Sequence, residues 1–113
     1  MIILSDVHGC FDTMMALLAK CPQGEQIVIC GDLVDRGPKS RQIVQYCIDN
    51  NIQVVKGNHE AMMVAGVRGN FSDANFWHRN GGSETLHSYV TDGVQDTETL
   101  NKHVEWMDKL PLS

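Results

Sequence analysis

Three short apolar runs constrain this chain more than anything else in it, because each ends in a polar loop and segments of helical periodicity separate them. Met1 to Leu4 is nearly continuously apolar, as expected of a strand buried on both faces. Gln26 to Cys30 is rich in β-branched residues and reads as a second strand, and Ile52 to Lys56, closed by Gly57, reads as a third. Between the first two runs, Phe11, Met14, Met15 and Leu18 recur at i, i+3, i+4 and i+7, which marks a helix with one apolar stripe ended by Pro22 and Gly24. Between the second and third, Ser40 stands where a cap is wanted, and Ile43, Val44, Cys47 and Ile48 supply a buried helix face that stops at Asn50-Asn51. The order β-α-β-α-β places the chain in the α/β class, with a parallel sheet and right-handed crossovers.

Beyond Glu60 the strand signals disappear. Ala61 to Val67, Ser83 to Val90 and Thr97 to Leu110 read as helices, the last with Leu100, Val104 and Met107 on one face. A chain of 113 residues makes one domain at most, here residues 1–113, and buries roughly two-thirds of its unfolded surface. Its net charge of −5 offers no basic field for nucleic acid. The opening apolar run is too short for a signal peptide and no later stretch approaches a membrane span, so no membrane association is expected and the expected location is the cytoplasm. Cys10, Cys21, Cys30 and Cys47 form no Cys-x-x-Cys pair; they are expected to be reduced, mostly buried thiols and not a zinc site.

In an open α/β sheet, ligands bind outside the carboxyl ends of the strands. The first strand is followed there by Ser5-Asp6-Val7-His8-Gly9. Residues two apart in extended chain point the same way, so Asp6 and His8 can converge, and a carboxylate with an imidazole suits a first-row transition metal. The second loop, Gly31-Asp32-Leu33-Val34-Asp35-Arg36-Gly37, crowds two carboxylates and an arginine between glycines. Asp32 can serve a metal there, and Arg36 can fork onto phosphate oxygens. The third loop, Gly57-Asn58-His59-Glu60, offers an amide oxygen as ligand and an imidazole as proton donor. Any one of these loops is as readily a solvated turn. Three of them at one sheet edge are far more specific.

Asp-x-His, then Gly-Asp-x-x-Asp-Arg-Gly, then Gly-Asn-His-Glu resembles the calcineurin-like metallophosphoesterases, and within them the phosphoprotein phosphatase branch. The run Trp77-His78-Arg79-Asn80-Gly81-Gly82, with Thr85, is similar to the bacterial and phage phosphatases and the related symmetrical diadenosine tetraphosphatases. The resemblance implies two divalent metal ions, manganese first, with iron or zinc as alternatives. Asp6 and His8 would bind the first ion, Asp32 would bridge both, and Asn58 would bind the second. His59 would be the general acid, with Asp35 as its dyad partner, and Arg36 would orient the phosphoryl group. Glu60 would be a structural support and not a ligand. A hydroxide shared by the metals would attack phosphorus directly, so no covalent phosphoenzyme is needed and Cys10 is not a nucleophile.

The implied activity is hydrolysis of phosphoserine or phosphothreonine in proteins. The first alternative is symmetrical bis(5'-nucleosyl)-tetraphosphate hydrolysis, with a phosphorylated small molecule as substrate. The second is a metal-binding fragment without activity of its own, which needs a complementing chain or self-association. The family pattern also includes histidine ligands on later segments, one in a Gly-His-Thr loop, and a second phosphate-binding arginine; neither occurs here. The expectation is therefore a βαβαβ half followed by helices, with the second half of the usual αββα sandwich missing. His78, His87 and His103 are expected to be exposed or satisfied in the core instead of replacing those ligands.

Overall fold

Residues 1–112 are described by a computed structural model of the chain. Strands β1 (Ile2–Leu4), β2 (Ile27–Ile29) and β3 (Gln53–Val54) form a parallel sheet in the order β1-β2-β3. Ile2 is level with Ile27, and Ile29 with Val54. Helices α1 (Phe11–Ala19) and α2 (Ser40–Asp49) make the two crossovers. Two right-handed crossovers stepping the same way across a sheet put both helices on one face. Met14 of α1 and Ile43, Val44 and Cys47 of α2 accordingly close over Ile29 and Val54 as one core. The parallel α/β fold expected from the sequence is the fold found.

The other face of the sheet is open, which corrects the expectation of a first strand buried on both sides. Ile3 is 63% exposed while its neighbours on β1 are half-buried, because the crossover helices α1 and α2 lie on the opposite side. The cysteines follow the same geometry. Only Cys47 is buried; Cys10 and Cys30 are exposed and Cys21 is intermediate, so the expectation of mostly buried thiols does not hold.

After β3 the chain runs through α3 (Asn58–Arg68), α4 (Phe71–Trp77), a wide turn (His78–Gly82), α5 (Ser83–Ser88), strands β4 (Val90–Thr91) and β5 (Val94–Gln95), and α6 (Thr97–Asp108). Helix α3 starts three residues before the expected Ala61, since the Glu60 side chain turns back to accept from Gly57 N at 2.8 Å and caps the first turn. Helix α4 was not expected. Of its aromatic residues only Trp77 is buried, while Phe71 and Phe76 are 86% and 59% exposed, so no buried stripe marks it, and it starts instead on the Asn70 side chain, which accepts from Asp73 N at 3.0 Å. Strands β4 and β5 correct both the helix expected through Val90 and the absence of strands after Glu60. Asp92 and Gly93 form the turn with φ of 53° and 77°, the left-handed pair that a two-residue hairpin requires. Ser40 is not a cap either: it is the first residue of α2, fully buried, with its hydroxyl turned toward the second loop.

Trp77, Tyr89, Leu100, Val104 and Met107 extend the core around Met63 of α3. His103 lies among them, its Nδ1 2.6 Å from the Tyr89 hydroxyl and its Nε2 2.8 Å from Gln45 Oε1. His103 is thus satisfied in the core, and His78 and His87 are exposed, as expected of each. Among the described residues, no helix is long and apolar enough to cross a membrane.

Candidate metal and phosphate site

The loops that leave the carboxyl ends of β1 and β2 are bonded to one another along the backbone. His8 N donates to Asp32 O at 2.9 Å, and Gly9 N donates to Leu33 O at 2.8 Å. The approach is close enough that a Cβ on Gly37 would stand 2.1 Å from His8 O, and one on Gly31 would stand 2.6 Å from Gly57. Glycine is the residue that permits either contact. Among the described residues, the non-glycine residues in the left-handed region are Asp6, His8, Asp32, Asp35 and Arg36, together with the turn residues Asn51 and Asp92. Such conformations persist only where surrounding structure holds them, and five of these seven lie in the two site loops.

One ligand atom each from Asp6, His8 and Asp32 lies within 4.8 Å of the others, close enough for a single cation to touch all three. His8 Nδ1 is 3.0 Å from Val34 O, to which it donates; the proton held there leaves Nε2 as the nitrogen with a free lone pair. That nitrogen is 3.8 Å from Asp6 Oδ1. Asp32 is fixed from both ends. Its backbone N donates to Glu60 Oε1 at 2.7 Å, and its Oδ1 accepts from His59 N at 3.1 Å. Glu60 is fully buried and also accepts from Leu33 N at 2.8 Å and from Gly57 N. Burial pushes its carboxyl above the ordinary carboxylate range, against the pull of these three donors. Its place is beneath the loops and outside the metal cluster.

Asp6, His8 and Asp32 share a cavity of about 710 Å³ with Arg36, Asn58 and His59. All seven residues singled out in the sequence are therefore brought to one place: six line the cavity, and Asp35 stands directly behind His59. Two carboxylates and an imidazole with a free Nε2 form a donor set that suits one first-row divalent cation. For a second cation, the cavity lining offers Asp32 and Asn58, and the Asp73 carboxylate also lines it.

Asp35 is 0% exposed. His59 Nδ1 lies 2.8 Å from Oδ2. The Trp77 indole N–H donates to both oxygens, at 2.9 and 3.0 Å, and the Thr85 hydroxyl donates to Oδ1 at 2.7 Å. Burial raises the Asp35 carboxyl above its ordinary value, and the hydrogen bonds from Thr85, His59 and Trp77 pull it back. Asp35 N in turn donates to the hydroxyls of Thr85 and Ser40, at 2.8 and 3.1 Å. The sequence pointed to Trp77 and Thr85 only through the family resemblance, with no role attached, and Ser40 read as a helix cap. Trp77 and Thr85 are 42 and 50 residues from Asp35, and no local pattern carries a pairing of that separation.

Over residues 1–113 the chain matches the family model described as calcineurin-like phosphoesterase. It is 40% identical over 67 residues to a protein of Neisseria gonorrhoeae (strain NCCP11945) named bis(5'-nucleosyl)-tetraphosphatase, symmetrical, a match that covers 55% of this chain and 24% of that one. It is 37% identical over 83 residues to serine/threonine-protein phosphatase 1 of Salmonella typhimurium, with 71% of this chain and 38% of the relative covered. Among solved structures, a metallophosphoesterase from Sphaerobacter thermophilus matches 97% of this chain and 40% of its own with a TM-score of 0.64; at 23% identity this is a likeness of fold. The chain spans about a quarter to two-fifths of the length of these proteins.

Proposed function

The chain belongs to the calcineurin-like phosphoesterase family, and from that premise we propose that it carries the metal and proton-donor half of a hydrolase acting on phosphoserine and phosphothreonine in proteins. The observation that supports this most is the meeting of Asp6, His8 and Asp32 in one cavity with Arg36 and the buried His59–Asp35 pair. In this reading Asp6, His8 and Asp32 would hold one divalent cation, and Asp32 and Asn58 would serve a second. Manganese is the first choice, and iron or zinc fit the same nitrogen and oxygen donors. The cations would supply Lewis acidity toward the phosphate and lower the pKa of water in the site.

The remaining work falls to the chain's own groups. Arg36, exposed at the cavity wall, presents a planar fork of donors to two phosphoryl oxygens and holds the phosphorus in line for attack. The Asp35 carboxylate fixes the His59 proton on Nδ1 and turns Nε2 toward the cavity, where a protonated imidazole gives its proton to the departing serine or threonine oxygen.

A second reading, hydrolysis of a bis(5'-nucleosyl)-tetraphosphate, is favoured by one specific observation: the Neisseria relative, at 40% identity, is named for it. Turnover of a phosphoserine peptide and of diadenosine tetraphosphate, measured side by side with manganese present, separates the two. Faster turnover of the peptide supports the first reading, and faster turnover of the dinucleotide replaces it with the second. A chain that binds manganese and hydrolyses neither is a metal-binding half that works with a complementing chain.

A further inference from the structure

The segment from Trp77 to Thr85 packs on the second loop and reaches the dyad there, and its shape has a specific cause. Trp77 ends α4 and Thr85 lies in the first turn of α5. In one unbroken helix these residues would stand about 12 Å apart along the axis and could not both reach one carboxylate. The helix is broken between them at Asn80 and Gly81, where Gly81 has φ of 102°. A Cβ on Gly81 would stand 2.7 Å from Arg36 N, so both the conformation and the close approach call for glycine. The break folds α5 back, and Trp77 and Thr85 close on Asp35 together. Gly81 O also accepts from Arg36 N at 3.1 Å, which ties the same turn to the phosphate-orienting arginine.

An ionised carboxylate has about four acceptor positions and no donor. At Asp35 they are filled by Thr85 on Oδ1, by Trp77 across both oxygens and by His59 on Oδ2. Thr85 has no freedom to turn away, because its own oxygen accepts from Asp35 N at 2.8 Å and lies 3.1 Å from the Ser40 hydroxyl. With Oδ1 and the carboxylate plane held by these two donors, Oδ2 has one direction left, and His59 occupies it. We infer that Trp77 and Thr85 are positioning residues for proton transfer: they lock the Asp35 carboxylate so that His59 keeps one proton on Nδ1, and the Nε2–H of the protonated ring is aimed at the leaving oxygen. This rests on the reading of His59 as proton donor.

The test uses the 113-residue chain with Trp77→Phe, Thr85→Val and both together. Phenylalanine keeps a ring against Gly66 and Gly82, which pack on Trp77, and removes the indole donor together with part of the ring volume. The first readout needs no turnover: the 15N shifts of the His59 imidazole report which nitrogen carries the proton. The wild type should hold it on Nδ1, and the double variant should show a substantial Nε2–H population. The second readout is leaving-group dependence with manganese present. Loss of a well-aimed acid slows esters of poor leaving groups and spares activated ones, so the double variant should lose tenfold or more on a phosphoserine peptide and within about twofold on p-nitrophenyl phosphate. Thr85→Ser, which keeps the hydroxyl, should behave as wild type. A general loss of structure would slow both substrates alike and would overturn the inference. So would a double variant with the wild-type tautomer and the wild-type ratio of the two rates. His59→Ala separates the failures: if it hydrolyses the peptide at the wild-type rate, proton donation by His59 is itself wrong. If it is inactive on the peptide while the double variant is unchanged, only the positioning role falls.

Discussion

His59 Nδ1 lies 2.8 Å from Oδ2 of Asp35, a carboxylate with no solvent exposure, and the arrangement leaves Nε2 as the ring nitrogen free for the cavity that His59 lines. Asp35→Asn tests that relationship with almost no change in volume. The Trp77 and Thr85 donors hold the amide oxygen where Oδ1 was, so the amide NH2 faces His59 and forces the ring to accept at Nδ1. Turnover of a phosphoserine peptide should then fall about 10²- to 10⁴-fold, the range general acid catalysis commands, while bound metal measured by atomic emission stays at the wild-type level.

The metal cluster and the proton donor should be separable in the same way. Asp32→Ala removes the carboxylate common to both proposed cations, and manganese content after dialysis should fall to background. His59→Ala should leave manganese content nearly unchanged and reduce turnover strongly. Equal metal loss in the two variants would mean that the cavity does not divide as proposed.

Glu60 holds three backbone N–H groups from two loops, those of Asp32, Leu33 and Gly57, and touches nothing else that requires its charge. Glu60→Gln places an NH2 against one of these donors and leaves it buried without an acceptor. The cost should be about 1–3 kcal/mol, read as a lower urea midpoint with an unchanged slope. Metal affinity should weaken as well, since Asp32 would be less firmly held.

A pH dependence of stability follows from His103. Burial chiefly, with help from Arg41, lowers its pKa from 6.5 to about 4, against the opposing charges of Asp96 and Asp49. Between those values the unfolded chain binds a proton that the folded chain does not, so stability should rise with pH from about 4 to about 6.5. Asp35 and Glu60 act in the opposite sense, because burial raises both carboxyls and favours their protonated forms in the folded chain. The difference between wild type and His103→Gln in urea melts from pH 4 to 7 isolates the histidine: the variant should lack the rising contribution.

The sheet and its first two helices were legible because each rests on a local signal. The strands Ile2–Leu4 and Ile27–Ile29 are apolar runs, and Met14, Ile43, Val44 and Cys47 recur at helical spacing on faces that do become core. Convergence of Asp6, His8 and Asp32 was legible because all follow parallel strands at the same end, although Asp6 and His8 meet through left-handed backbone, φ 52° and 43°, and not through the extended chain expected of them. Helix α4 was not legible, because Phe71 and Phe76 point to solvent and leave no stripe. The hairpin at Asp92-Gly93 carried a clear turn signal, but the helical reading of Ser83 to Val90 was extended over its first strand. Ser40 looked like a cap because its position suits one; only the tertiary fold shows its hydroxyl bonded to Asp35 N. Trp77 and Thr85 meet Asp35 by virtue of a break at Gly81, and that geometry has no counterpart in pattern or propensity.

Anomalous scattering from manganese in crystals of the chain tests the central claim most directly. The account predicts a peak within coordination distance of the Asp6 and Asp32 carboxylates and of His8 Nε2, with Asn58 facing a second peak on the far side of Asp32. Crystals saturated with manganese that show no density between Asp6, His8 and Asp32 would contradict it.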